Sequence, residues 1–442
     1  MSNIEYIELH THLYGSIPVE TLFEIGKNNP SPRWNIFIEP YEKLFNIKID
    51  PKNFFKEFDS AEKLKSIYYF LNPAPFEEFQ AKFNLIIALS VFNKEEIKFI
   101  AREVLGDYAK KNSKYCEFRI MYSPLATEVD YYEKTLAACE GLQEGEKIYS
   151  CKGRLVVSLH RRGNYEEQYG FLKKMMEKNP VIAKYLVGID FCHIEEGNPP
   201  KEKKEFFKKV LLDNYKNSKN ALSILYHVGE SFIDKTHLSA CRWIYESAVN
   251  GAHRLGHCIA LGENLNKYYG KTREETREEF IDTNEFIINH FEDIKAHGKI
   301  SDINYFKENL EKIRYGTDTI VVMYDKIFVQ NLDTFRKFVI EKLIKEKTII
   351  ESCPSSNYLI GMVDKYDHLP IKFFSETNLR LTIGADDPGI LNTDIVKEYQ
   401  ICREIHIKEN YLNQIREVSK SYTSEILSGR VARPEGFEPP TL

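Results

Sequence analysis

The sequence predicts an α/β fold, a (β/α)8 barrel of the TIM type, with a helical insertion after the sixth strand. Three observations lead there. Eight short β-rich segments recur along the 442 residues, most of them followed by residues with helical periodicity. Alternation of this kind in a chain of this size builds a parallel sheet wrapped by helices. An open doubly wound sheet would usually carry a glycine-rich phosphate turn after its first strand, and neither G-x-G-x-x-G nor a P-loop stands there.

Taken in order, the strands are "EYIELH" (Glu5–His10), "YCEFRI" (Tyr115–Ile120), "RLVVSL" (Arg154–Leu159) and "LVGIDF" (Leu186–Phe191). "LSILYH" (Leu222–His227), "HRLGH" (His253–His257), "TIIES" (Thr348–Ser352) and "LRLTIGA" (Leu379–Ala385) complete the set. Stretches such as "FEEFQAKFNLIIALS" and "EEIKFIAREVLGDYAKK" supply the intervening helices. One domain, residues 1–427, accommodates all of this. Between strands six and seven, residues from about 262 to 347 exceed what one connecting helix needs. Their amphipathic, charged runs read as an inserted helical subdomain, a candidate lid or homo-oligomer contact; longer barrel helices with solvated faces fit the pattern equally. The Pro- and Gly-rich end, 428–442, reads as a disordered or non-native tail.

Apolar residues make up 43% and charged residues 29%, with a formal net charge of -5. That balance suits a globular protein and argues against general nucleic-acid binding or an anionic membrane surface. Glu5 and Glu8 interrupt the only apolar stretch near the start, and no run has the length of a membrane span. Eight scattered cysteines without a C-x-x-C pair read as reduced, mostly buried thiols in a cytoplasmic protein.

Sorting polar residues by strand gathers the chemistry. His10 and His12 close strand one, and residues i and i+2 of an extended segment point the same way. His227 closes strand five, with Glu230 three residues on in "HVGE"; His257 closes strand six in "RLGHC"; Asp386 and Asp387 follow strand eight in "GADDPG". In a barrel all these ends lie on the C-terminal face, where barrel enzymes build their sites. Three imidazoles and a carboxylate (His10, His12, His227, Asp386), with a position left for water, make a catalytic zinc site, one ion per chain. Each piece alone has an ordinary structural reading: an H-x-H surface pair, a core histidine, a turn before Pro388. Their convergence on one face favours the site.

These motifs, "ELHTHLYGS", "YCEFRIMYSP", "HVGE", "RLGHC", "CPSSNYLIG" and "GADDPG", in this order, resemble those of the adenosine deaminases and related purine deaminases of the amidohydrolase superfamily. The resemblance runs from Glu8 to about Gly389 and leaves out the insertion and the tail. It implies a zinc enzyme that converts a 6-aminopurine nucleoside to the 6-oxopurine and ammonia, a zinc-held hydroxide attacking C6. It further implies His10, His12, His227 and Asp386 as metal ligands, Glu230 as proton donor to N1, His257 as base and electrostatic partner of the hydroxide, and Asp387 as partner of N7. Two positions depart from the family. Tyr14 stands where adenosine-specific relatives have an aspartate that contacts the ribose 5'-hydroxyl, and His193 stands where they have a glycine whose N–H meets N3. The substrate expectation is therefore adenosine or a close relative, with an adenine nucleotide or N6-substituted AMP as the alternative; Arg161 and Arg162 are candidate phosphate ligands, though surface ion pairs are the commoner role of such residues.

The rivals fit less. The other zinc deaminases carry H-x-E and P-C-x-x-C, absent here. "GIDFCHIEE" offers no bridging lysine for a binuclear centre. An H-x-H barrel phosphoesterase, using His160, His193 and Glu195 for further ions, leaves "HVGE" and "GADDP" unexplained, and a non-catalytic purine-binding assembly protein leaves Glu230 and His257 without a role. Arg119 is expected to tie the end of strand two to neighbouring carboxylates.

Overall fold

In the computed structural model, which describes residues 4–313, 318–360 and 363–432, eight parallel strands form a nearly closed barrel in the order β1-β2-β3-β4-β5-β6-β9-β10. They are β1 (Tyr6–His12), β2 (Ser113–Met121), β3 (Lys152–Ser158), β4 (Leu186–Asp190), β5 (Ser223–Val228), β6 (Arg254–His257), β9 (Ile349–Ser352) and β10 (Arg380–Ile383). Each overlaps one of the eight segments expected from the sequence. Strands buried on both faces read as apolar runs, which is why they stand out. The seam between β10 and β1 closes beyond the end of β10. The His12 N–H donates to the Asp386 carbonyl at 2.8 Å and the Asp386 N–H donates to the His10 carbonyl at 3.0 Å.

The main apolar core lies between strands and helices, while the lumen holds only a small separate cluster of Val156, Val187 and Leu225. Charge fills much of the remaining lumen. Glu117 and Arg119 alternate onto one face of β2, opposite Arg254 on β6 and Glu351 on β9. Glu351 pairs with Arg119 and, at 2.6 Å, with Arg254, which also pairs with Glu117; all four side chains are fully buried. From below, the Ser424 N–H and hydroxyl each donate to Glu117 at 2.6 Å.

The β1–β2 connection is longer than a barrel helix requires. It holds helices at Val19–Asn28, Trp34–Phe45, Phe54–Glu57, Ala61–Tyr68, Phe76–Leu89 and Lys94–Lys110. The segment 262–347 is mainly helical, with helices at Arg277–Asn289, Ile303–Lys312 and Lys326–Lys345. It also contains a two-stranded antiparallel sheet, β7 (Thr272–Thr276) with β8 (Thr319–Met323), that the sequence did not announce. "TREET" has no apolar alternation, and its partner lies far along the chain. Helix Lys326–Lys345 buries Phe328, Leu332, Phe335, Val339 and Leu343 and packs on helix His237–Val249, so the last part of the segment belongs to the barrel's helical layer.

The expected tail lies outside the described residues from 433 onward. Its first residues are held: Arg430 donates to the carbonyls of Ala183, Leu186 and Ala221. No helix among the described residues is long and apolar enough to cross a membrane. All eight cysteines are buried and free.

Arg254→Met should lower stability by about 3–5 kcal/mol, because it strips a cation from two buried carboxylates. The urea unfolding midpoint reads this directly; an unchanged midpoint would mean the lumen network does not hold the barrel.

Candidate active site

The barrel brings the ends of β1, β5, β6 and β10 onto one rim. The ligand atoms of His10, His12, His227 and Asp386 all lie within 4.8 Å of one another. Asp386 Oδ1 stands 3.4 Å from His10 Nε2 and 3.3 Å from His12 Nε2. The outer ring nitrogens are spoken for. His10 Nδ1 lies 2.8 Å from Glu351 Oε2, and His227 Nδ1 lies 2.9 Å from Asp190 Oδ1. With both carboxylates ionised these are N–H donations, which fix the tautomer and aim each Nε2 lone pair inward.

The Nε2 atoms of His10 and His227 are buried and have no hydrogen-bond partner. Burial, only partly offset by Asp190, pulls the His227 imidazole down to about 3, so it is neutral at neutral pH. Orphaned ring nitrogens aimed at a carboxylate fit a divalent cation, and three imidazoles with one carboxylate are donors of the zinc type. Despite burial, Asp190 is held well below the carboxylate range by His227 and Arg119, and Glu351 by Arg119, Arg254 and His10. Arg119 bridges the two, pairing with Glu351 and standing 3.7 Å from Asp190 Oδ2. The expectation that Arg119 ties strand two to nearby carboxylates holds. Asp190 and Glu351 themselves were missed; the available signal was an acid at the end of an otherwise apolar strand.

On the neighbouring side His257 Nε2 faces Glu230 Oε1 at 3.5 Å and Asp386 Oδ2 at 3.9 Å, and it too is an unpartnered buried nitrogen. Its Nδ1–H donates to Asn357 Oδ1 at 2.9 Å, from the helix Pro354–Leu359 of the "CPSSN" motif. Burial pushes the Glu230 carboxyl up, with His257 opposing. Burial lowers His257, but Glu230 and Asp386 outweigh it and raise the imidazole. The Asp386 carboxyl is held well below the usual carboxylate range, against its burial, by the neighbouring His10, His12 and His257 imidazoles. Burial, then Asp386, lifts Asp387 to about 7, and its Oδ1 has no partner.

Two glycines let these groups close in. A Cβ on Gly256 would come within 2.9 Å of the His10 ring, and one on Gly15 would sit 1.6 Å from Asp387 Oδ1. The backbone is strained where the chemistry sits: His257, Cys258 and Asp386 have φ of 63°, 50° and 60° without being glycine.

Other residues fall differently. Tyr14 is half-buried, its ring 4.6 Å from that of Phe92. His193 is exposed on the β4 loop with φ of 70°. His160 Nε2 lies 3.1 Å from the Tyr122 carbonyl, and Glu195 accepts the Gly229 and Glu230 N–H groups. Among the described residues the candidate metal clusters are the four ligands and an overlapping set of His10, His257, Cys353 and Asp386; His160, His193 and Glu195 form none. Arg161 is not in a surface ion pair: it is buried and donates to the carbonyls of Phe191 (2.8 Å), Cys192 (3.2 Å) and His227 (2.6 Å), while its Nη1 has no partner. Arg162 donates to Asn198 Oδ1 at 3.2 Å and the Glu196 carbonyl at 3.3 Å.

The fold is a (β/α)8 barrel with a candidate metal site at the strand ends. A family model described as adenosine deaminase matches residues 313–424. An adenosine deaminase of Clostridium botulinum (strain Loch Maree / Type A3) is 26% identical over 443 aligned residues, 95% of this chain and 97% of that protein. The adenine deaminase structure from Arthrobacter aurescens superposes with a TM-score of 0.57 at 13% identity, covering 96% of this chain and 97% of that one. The N6-methyl-AMP deaminase structure from Arabidopsis thaliana gives 0.56 at 17%, covering 96% and 92%; these two likenesses concern the fold. The chain is similar to adenosine deaminases over nearly its whole length, and it is a hydrolytic deaminase that acts on a purine ring.

Asp190→Asn should weaken metal binding by about 10- to 100-fold, because His227 loses the ionised partner that fixes its tautomer. Competition with a chelator measures this. Unaltered affinity in the folded variant would remove Asp190 from the metal site.

Proposed function

We propose that the chain hydrolyses the exocyclic amine of a 6-aminopurine nucleoside, adenosine or a close relative, using one zinc ion held by His10, His12, His227 and Asp386. The observation that carries this is the pair of buried, unpartnered Nε2 atoms of His10 and His227, gathered with His12 and Asp386 beside Glu230 and His257. A divalent cation in that cage supplies the acidity that makes water a nucleophile near neutral pH.

The remaining work falls to the chain's own groups. C6 of an aromatic purine resists attack until N1 is protonated, and a raised Glu230 carboxyl keeps the proton that N1 needs. His257 Nε2, between Glu230 and Asp386, takes the proton of the attacking water and faces the charge that develops. Asn357 fixes that ring so that Nε2 is the nitrogen on offer. Asp387 Oδ1, when protonated, donates to N7.

The nucleoside reading is supported by the commitments of Arg161 and Arg162, whose Nε and Nη2 donors go to protein oxygens. The nucleotide reading has one observation in its favour: Tyr14 carries no negative charge to repel a 5'-phosphate. Eight free, buried thiols suit the reducing cytoplasm.

Glu230→Gln should keep the metal and lose about 10²–10⁴-fold in kcat, since an amide cannot supply the N1 proton. Near-normal turnover would remove Glu230 from the mechanism. Elemental analysis of the wild type should find close to one zinc per chain, and His227→Ala should lose it. Across adenosine, 2'-deoxyadenosine, adenine, AMP and N6-methyl-AMP, ammonia release should be fastest for the nucleosides. A higher kcat/KM for AMP or N6-methyl-AMP would overturn the nucleoside assignment.

A further inference from the structure

The loop that carries Glu230 is gripped from two sides, and one of them is the segment inserted between β6 and β9. Glu230 begins the stretch 230–236 that joins β5 to helix His237–Val249. On the barrel side Glu195 accepts the N–H groups of Gly229 at 2.9 Å and Glu230 at 3.2 Å, and the Gly197 N–H donates to Asp234 Oδ2 at 3.0 Å.

On the outer side stands β7. The Arg273 guanidinium donates to the Phe232 carbonyl and lies over the Phe232 ring, 4.6 Å from its centroid. Thr276 donates its N–H to the Asp234 carbonyl at 3.0 Å. The Glu275 carboxylate accepts both the N–H and the hydroxyl of Thr236 at 3.1 Å. Just past β8, the Tyr324 hydroxyl accepts the His237 N–H at 3.1 Å.

These contacts reach the loop's backbone at Phe232, Asp234 and Thr236, every second residue. A covering element would need only side-chain packing. Bonds to alternate peptide groups instead fix the path of the chain, because each buried N–H or carbonyl takes its partner where the path puts it. The path matters because an acid must stand within hydrogen-bond reach of the atom it protonates, and displacement by about 1 Å costs on the order of 10²-fold in rate.

We propose that the two-stranded β7–β8 sheet is a positioning element for Glu230, with Arg273 as its chief positioning residue. The inference rests on the reading of Glu230 as proton donor. It assigns the insertion a part in the reaction.

A double-mutant cycle tests it, with kcat and KM measured per metal-loaded molecule. Arg273→Ala should lower kcat about 10- to 100-fold and change KM by less than about threefold. Arg273→Lys, which keeps a donor for the Phe232 carbonyl, should recover most of the loss. In a Glu230→Gln background Arg273→Ala should change kcat by less than about twofold, since no acid remains to be positioned. Wild-type kcat in Arg273→Ala, or the same fold-loss in both backgrounds, would overturn the proposal. If Arg273→Ala does not fold, Glu275→Gln, which loosens Thr236, enters the same cycle with the same criteria. Near-normal kcat in Glu230→Gln alone would instead bring down the catalytic reading, a failure separate from that of the β7–β8 sheet.

Discussion

Glu351 is the carboxylate around which the barrel is organised. It stands fully buried on β9 and meets Arg119 of β2, Arg254 of β6 and His10 of β1. A lone carboxylate in that lumen would cost several kcal/mol or take up a proton. Two guanidinium groups and an imidazole N–H keep it ionised, and the arginines need it in return, along with Glu117. Chain segments far apart in sequence are thus tied at one point in the lumen. The oxygen that satisfies Arg119, Oε2, also dictates which nitrogen of His10 is free, while Oε1 takes Arg254. Stability and metal chemistry share one group.

The seam transmits that constraint to the rim. Asp386 closes the barrel with its backbone, bonded to residues 10 and 12, while its side chain stands between His10 and His12 on one oxygen and faces His257 with the other. The backbone pays for this geometry with left-handed conformations at His257, Cys258 and Asp386, of the order of 1–3 kcal/mol each. Such strain persists only where the surroundings over-determine it, and here buried hydrogen bonds on both sides of the seam do so. A barrel that closes correctly has already assembled most of the site.

Much of this was legible in the sequence, for physical reasons. Parallel strands buried on both faces write apolar runs, and ligands at strand ends follow those runs by a residue or two, so "ELHTH", "LYHVGE" and "TIGADD" could be read together. What could not be read was pairing across distance. Glu351 and Asp190 are single acids in apolar strands until the fold sets them against His10 and His227. Asn357 lay in a motif that was quoted, yet its amide could be matched to His257 only in three dimensions. Arg161 suggested a phosphate because paired arginines after a strand usually face solvent; the fold instead turns it under the His227 carbonyl. The β7–β8 sheet left no periodic trace because its two strands pair from opposite ends of the insertion.

A division of labour follows from where the groups stand. The proposed metal ligands on strand ends inherit the rigidity of the sheet, reinforced by Glu351 and Asp190. Glu230 has no such inheritance: it lies beyond β5, on a loop whose peptide groups would otherwise need water. Precision on a loop must come from outside it. Glu195 supplies part from the β4 loop. Its carboxyl is raised to about 7 by burial, against the pull of Lys235 and Arg161, so it grips most firmly when ionised and weakens as pH falls through that value. The contacts from β7 are mixed in kind: Glu275, also raised by burial, holds Thr236 through a carboxylate, whereas the Thr276 N–H holds the Asp234 carbonyl through a backbone donor that does not titrate. An inserted element at this place therefore gives the acid-bearing loop a support of which one part persists when the neighbouring carboxylates take up protons.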